Sequence, residues 1–144
     1  MFILDTDHLS FIERRSGDEY TRIVLKIKEH GPGNIFVTVA SMHEQFLGWH
    51  NVIAKCRNEA ARVQPYRRLA ALTSAYRRSA LLEYTDAAAQ EFQRLRGEKV
   101  RIDTMDSRIA SIALVNQMTI VTRNQVDYEK VPGLQIEDWT IAPS

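Results

Sequence analysis

Phe2-Ile3-Leu4-Asp5-Thr6-Asp7 is a short apolar run that stops abruptly at two acids, two residues apart. A run of this kind reads as a buried parallel strand that ends at a polar loop. Ile35-Phe36-Val37-Thr38-Val39 is β-branched and aromatic and reads as a second strand. Between them, Asp18-Glu19 opens an amphipathic helix whose Ile23, Leu25 and Ile27 are expected to face inward, stopped by Gly31-Pro32-Gly33. Ser41 is expected to cap a helix running to about Ala61, and Pro65 to open or kink another ending near Ser79. Leu81-Leu82-Glu83-Tyr84 reads as a weak third strand. Thr85-Asp86 caps a helix carrying Ala88, Phe92 and Leu95, with Gly97 at its end. Asp103-Thr104 caps another, with Met105, Ile109, Ile112 and Ala113 on one face. Thr119 to Thr122 and Leu134 to Glu137 complete the strands. Strands alternating with helices specify an α/β fold around a mainly parallel sheet of four or five strands.

The 144 residues amount to about one domain, and no repeat, low-complexity tract or Pro/Gly/Ser linker divides them. A hydrophobic fraction of 44% with 26% charged residues is that of a globular chain, which argues against wholesale disorder. No apolar run is long enough for a membrane helix, and Met1-Phe2-Ile3-Leu4-Asp5 lacks the basic and apolar regions of a secretory signal. The lone Cys56 is incompatible with an internal disulfide and is expected to be a buried small hydrophobe. A cytoplasmic protein is the expectation.

In an α/β sheet the chemistry lies beyond the carboxyl ends of the strands. Asp5 and Asp7 follow the first strand, and Glu44 falls five residues past Val39. Asp103 and Asp106 open the helix before strand four, and Asn124 and Asp127 follow that strand. Carboxylates gathered in one cleft repel and raise one another's pKa. A hard divalent cation with oxygen ligands, Mg²⁺ or Mn²⁺, relieves that repulsion and can activate water beside a phosphoryl group. Taken singly, Asp7 and Asp103 also suit helix caps, Asp106 suits a helix dipole, and Asp127 suits a turn.

The ordered set of motifs resembles the PIN-domain ribonucleases of the VapC type, the toxins of type II toxin–antitoxin pairs. It comprises Ile3-Leu4-Asp5-Thr6-Asp7, then Val39-Ala40-Ser41 leading to Glu44, and Ile102-Asp103-Thr104-Met105-Asp106-Ser107-Arg108-Ile109-Ala110. Thr122-Arg123-Asn124 with Asp127-Tyr128 follows, and Val131-Pro132-Gly133-Leu134 through Glu137-Asp138-Trp139 closes it. The resemblance implies a single three-layer α/β/α PIN domain over residues 1–144. It also implies an acidic metal site at Asp5, Glu44, Asp106 and Asp127, with Asn124 as the polar residue after strand four and Thr122 close by; Asp7 and Asp103 are supporting acids by their placement alone, and Asp103 reads either as a fifth acid or only as a cap. An endoribonuclease using Mg²⁺ or Mn²⁺, an antitoxin that blocks the site, and a homodimer are implied as well. Asp103 stands where many members have glycine. Tyr128 stands where phenylalanine is usual, a change expected to matter little.

Charge is distributed unevenly. Residues 1–54 hold five Lys/Arg against seven Asp/Glu, residues 55–78 seven against one, and residues 79–144 seven against ten. The basic middle, with Tyr66 and Tyr76 interleaved, is expected to contact RNA phosphate, through Arg67, Arg68, Arg77 and Arg78 first, or to be a solvated face covered by a partner. His8, His30, His43 and His50 lack metal-ligand spacing and read as surface or structural residues, and Trp49 and Trp139 as packing or dimer contacts. Two alternatives fit less of the pattern. One is a non-catalytic RNA- or protein-binding module that keeps the fold. The other is a haloacid-dehalogenase-type phosphatase, suggested by Asp5-x-Asp7 but opposed by Leu9 where that family wants threonine or valine.

Overall fold

A computed structural model of the protein describes residues 1–143. Five parallel strands form the sheet: β1 (Phe2–Leu4), β2 (Ile35–Thr38), β3 (Leu81–Leu82), β4 (Thr119–Val121) and β5 (Ile136–Glu137), in the order β3-β2-β1-β4-β5. Side chains alternate along each strand, and this period of two builds the two helical layers. Ile3, Phe36 and Ile120 point to one face, where α3 (Val39–Lys55), α5 (Asp86–Gly97) and α6 (Thr104–Asn116) contribute Ala40, Ala88, Leu95, Ile109 and Ile112. Leu4 and Val121 point to the other, against Ile23 and Trp139, where α1 (Thr6–Arg14) and α2 (Asp18–His30) pack. Val37 anchors a third cluster with Leu72 and Tyr76, one turn apart on α4 (Glu59–Arg77). Among the described residues no helix is long and apolar enough to cross a membrane.

Several local expectations are corrected. β2 ends at Thr38, and Val39 already belongs to α3. The cap of α3 is Thr38, whose Oγ1 accepts the Ser41 N–H at 3.1 Å; Ser41 lies inside the helix, buried, its own Oγ accepting from Thr6 and Thr38. A threonine at a strand end can cap as well as a serine, and the buried Thr38 does so three residues earlier than expected. Leu25 does not face inward: it is exposed, because at 100° per residue it falls outside the stripe of Ile23 and Ile27.

Of the two expectations for Pro65, opening a helix is overturned: it sits within α4, which starts at the Asn58 cap. Proline cannot supply the N–H that the Ala61 carbonyl would otherwise receive. Cys56 Sγ, half-buried rather than buried as expected, lies 3.6 Å from that carbonyl and 3.3 Å from Val52 O. Arg62 ties the two helices by donating to Ile53 O and Cys56 O. The third and fifth strands are two residues each, shorter than expected, since each lies at an edge of the sheet with one neighbour only.

Replacing Thr38 by valine, which keeps the shape and deletes the hydroxyl, should lower unfolding stability by about 1–2 kcal/mol. Urea denaturation measures this, and an unchanged midpoint would remove Thr38 as the cap.

Candidate active site

Strand order reverses between β1 and β4, so the carboxyl ends of these neighbours border the crevice in which α/β sheets place their chemistry. Asp5 follows β1 directly and caps α1, its Oδ1 accepting the Thr6 N–H at 2.8 Å. Thr122 follows β4. Its buried hydroxyl donates to Asp5 Oδ2 at 2.8 Å and accepts the Asn124 N–H at 2.9 Å. Asn124 spends both hydrogens of its amide on acids, Nδ2 donating to Asp106 Oδ2 at 3.2 Å and to Asp127 Oδ2 at 3.1 Å. Asp106 stands in the first turn of α6, and Asp127 in α7 (Gln125–Tyr128). One network thus joins Asp5, Thr122, Asn124, Asp106 and Asp127.

The remaining acids stand differently. Glu44, half-buried in the second turn of α3, makes no hydrogen bond among the described residues, but its charge reaches Asp106. Asp103 caps α6 by accepting the Met105 N–H at 2.9 Å, and its charge also bears on Asp106. Asp7 does not cap a helix, as it was expected to be able to. It accepts the Arg123 N–H at 2.9 Å and a hydrogen from His8 Nδ1 at 2.7 Å. His8 is fully buried and its Nε2 accepts the Trp139 N–H at 3.2 Å, so Nδ1 carries the hydrogen given to Asp7. Asp7 therefore ties α1 to the loop after β4 and, through His8, to the C-terminal segment.

The charges are poorly compensated. Burial, then the Asp7 charge, pushes the Asp5 carboxyl from 3.8 up to about 7, against the hydrogen bonds from Thr122 and Thr6. Burial and the charges of Asp103, Glu44 and Asp127 raise Asp106 to about 6. Burial would raise Asp7 too, but the hydrogen bonds from His8 and the Arg123 N–H outweigh it and hold that carboxyl below the usual range. The Asn124 amide and Lys130, 3.4 Å away, hold Asp127 low at the rim.

Oxygen donors with raised pKa and without a cation between them suit a hard divalent ion in chemistry. Among the described residues no three His, Cys, Asp or Glu side chains converge closely enough to cage one.

Tyr128 was expected to matter little in place of phenylalanine. It is instead fully buried, and its hydroxyl donates to Asp106 Oδ1 at 3.3 Å. A core tyrosine needs a partner for its O–H, and that need was the signal in the sequence. The four arginines separate. Arg68 and Arg78 line a groove between α1 and α4 with Trp49 and Leu72, Arg67 lies by Val63 and Tyr66 on the outer side, and Arg77 is exposed.

No protein-family model matches the chain. Over 80 residues it is 35% identical to the tRNA(fMet)-specific endonuclease VapC of Shigella flexneri, a match covering 53% of this chain and 61% of that protein. It is 34% identical over 79 residues to the protein of the same name from Salmonella typhimurium, covering 52% and 60%. The matched region thus spans about three fifths of these curated relatives. Among solved structures, a chain of the DNA-bound VapBC of Salmonella typhimurium superposes with a TM-score of 0.76 at 24% identity, covering 96% of this chain and 97% of that one. A chain of VapBC-1 from Haemophilus influenzae gives 0.73 at 19% identity, over 97% and 98%. The chain has the VapC-type PIN fold. In this VapC-type fold, the switch point between β1 and β4 is where the sequence placed its acids.

Between pH 4 and 7 the folded chain keeps a proton on Asp5 that the unfolded chain has released, so stability falls as pH rises through that window. In EDTA, Asp5→Asn should remove the part of that slope above about pH 6, leaving the part that Asp106 contributes below it, and make the variant more stable at pH 8 by roughly 1–3 kcal/mol. Asparagine still caps α1, and Thr122 can turn its hydrogen to Asp7, 3.3 Å away. Chemical denaturation across pH tests this, and a variant less stable than wild type at pH 8 would contradict it.

Proposed function

We propose that the chain is the endoribonuclease of a VapBC-type toxin–antitoxin pair, hydrolysing RNA phosphodiester bonds. The observation that carries this reading is the set of carboxyl groups at one switch point, two of them raised to about 7 and about 6 by burial and mutual repulsion. Binding sites seldom retain such uncompensated charge unless a cation or a reaction uses it. The resemblance in sequence to two proteins named as tRNA(fMet)-specific endonucleases supports it and makes a transfer RNA the first substrate to try.

On this reading Asp5, Glu44, Asp106 and Asp127 would draw Mg²⁺ or Mn²⁺ to the switch point, although among the described residues no three of them converge into a cage; the ion, when bound, would supply an activated water and offset charge developing on the phosphate. Thr122 and Asn124 orient the acids. Thr122 holds Asp5 by one oxygen, and Asn124 spaces Asp106 from Asp127. Tyr128 steadies the other oxygen of Asp106 from the core side. The antitoxin partner is supported by a cavity of about 390 Å³ between α1, β2 and α4, whose lining includes Leu9, Ile12, Val37, Leu72 and Arg78. Its largely apolar lining, with Arg78 and Glu13 as the charged members, suits the apolar face of an amphipathic segment. A homodimer is part of the same proposal.

Asp5→Asn and Asp106→Asn should each reduce Mg²⁺- or Mn²⁺-dependent cleavage of transfer RNA by at least about 100-fold, without lowering the thermal midpoint. Wild-type protein freed of any partner that cut no RNA with either metal would refute the enzyme; an active Asp5→Asn would refute the site.

A further inference from the structure

One face of α1 carries chemistry that the acids do not use. Asp7, Phe11 and Arg14 are spaced i, i+4 and i+7, so they share one face of the helix, running outward from the switch point. The Phe11 ring lies beneath two guanidinium groups. Arg14 Cζ is 5.3 Å from the ring centroid and Arg123 Cζ 5.4 Å. Arg123 sits between Thr122 and Asn124, and its backbone N–H is pinned by Asp7 Oδ2 at 2.9 Å. Arg123 therefore stands beside the candidate site, fixed by the same network that fixes Asp5, and Arg14, in the last turn of α1, extends the pair outward.

Neither guanidinium makes a salt bridge or side-chain hydrogen bond among the described residues. By contrast Arg62 and Arg94 are both ion-paired. Arginines meant to neutralise the acids would be bonded to them. Each guanidinium carbon instead lies within cation–π distance of one aromatic ring, an attraction that occupies none of the N–H donors. Two fixed forks with free donors on one ring are suited to bidentate contact with phosphate oxygens. Two like charges on one ring also repel, a cost that an intervening polyanion removes.

We infer that Arg14 and Arg123, mounted on Phe11, bind backbone phosphates of the RNA strand on one side of the scissile bond. The inference rests on the nuclease reading for the nature of the ligand but not for its test, which needs no cleavage. Both residues lie outside the basic middle of the chain, so the arginines of α4 are not required for this contact.

The test is fluorescence anisotropy of a labelled single-stranded oligoribonucleotide in EDTA, over a range of salt concentrations, with the thermal midpoint of each variant recorded. Arg14→Ala and Arg123→Ala should each weaken binding about 3- to 10-fold at low salt. The double variant should flatten the slope of log K against log salt by about 1.4, two contacts at about 0.7 each. Phe11→Leu keeps the apolar volume and both charges but removes the ring, and should weaken binding by a similar factor. A simple electrostatic patch would not show that loss. An unchanged salt slope in the double variant, or full binding by Phe11→Leu at an unchanged thermal midpoint, would overturn the proposal. Competition by poly-L-glutamate as effective as by RNA of equal charge would assign the pair to an acidic protein and overturn it too. If binding fell as expected while no cleavage could be found with any metal, the contact would stand and the nuclease reading would fall.

Discussion

Thr122 makes one short hydrogen bond, to Asp5 Oδ2, and the geometry of the site hangs on it. A parallel sheet delivers the ends of neighbouring strands to one edge but does not by itself orient the side chains there. The Thr122 hydroxyl does so. By donating to Asp5 it leaves a lone pair for the Asn124 N–H, and this turns the Asn124 amide toward Asp106 and Asp127. One neutral hydroxyl and one neutral amide thus place three carboxylates without neutralising any of them. A lysine or arginine in either position would hold the acids more tightly and neutralise them.

That arrangement costs stability, and the cost is carried by the layers on either side. Asp5 is almost wholly buried, with Ile3 and Leu4 just before it in opposite cores, so its backbone cannot relax away from the other acids. Asp7 shows the contrasting solution within two residues. Its charge is met by His8 and a backbone N–H, its carboxyl is held low, and it serves as a strut. Adjacent aspartates in one motif therefore have opposite electrostatics, set by which hydrogens point at them. His8 extends the strut to Trp139, which is why the C-terminal segment, far away in sequence, bears on the loop beside the site.

The α/β order, the five strands and the gathering of acids at the strand ends were legible because each depends on local pattern. Phe2-Ile3-Leu4 and Ile120-Val121 are apolar throughout since both faces of a central parallel strand are covered. Helix starts were less legible where two hydroxyl residues compete. Thr38 and Ser41 are both good caps, and only the end of β2 in space decides between them. Pro65 left the start of α4 open because a proline suits a helix's first turn better than its interior, while the sulfur that faces the freed carbonyl comes from Cys56, outside that helix. Tyr128 was underrated for a related reason. Its ring packs as a phenylalanine would, and the partner of its hydroxyl lies 22 residues away on another helix.

The same distinction applies to charge. A basic run such as residues 55–78 stands out in a sequence because its members are neighbours. Its arginines nonetheless separate on α4: Arg62 is used in tying helices, Arg68 and Arg78 face a groove, and Arg67 and Arg77 face other directions. Arg14 and Arg123 are over a hundred residues apart and belong to stretches that are acidic on balance, yet the fold sets both on one ring. A cation's usefulness beside an acidic site depends on being held close without being neutralised. An aromatic face meets that condition and a carboxylate does not, so such cations are found by what they stack on rather than by local charge density.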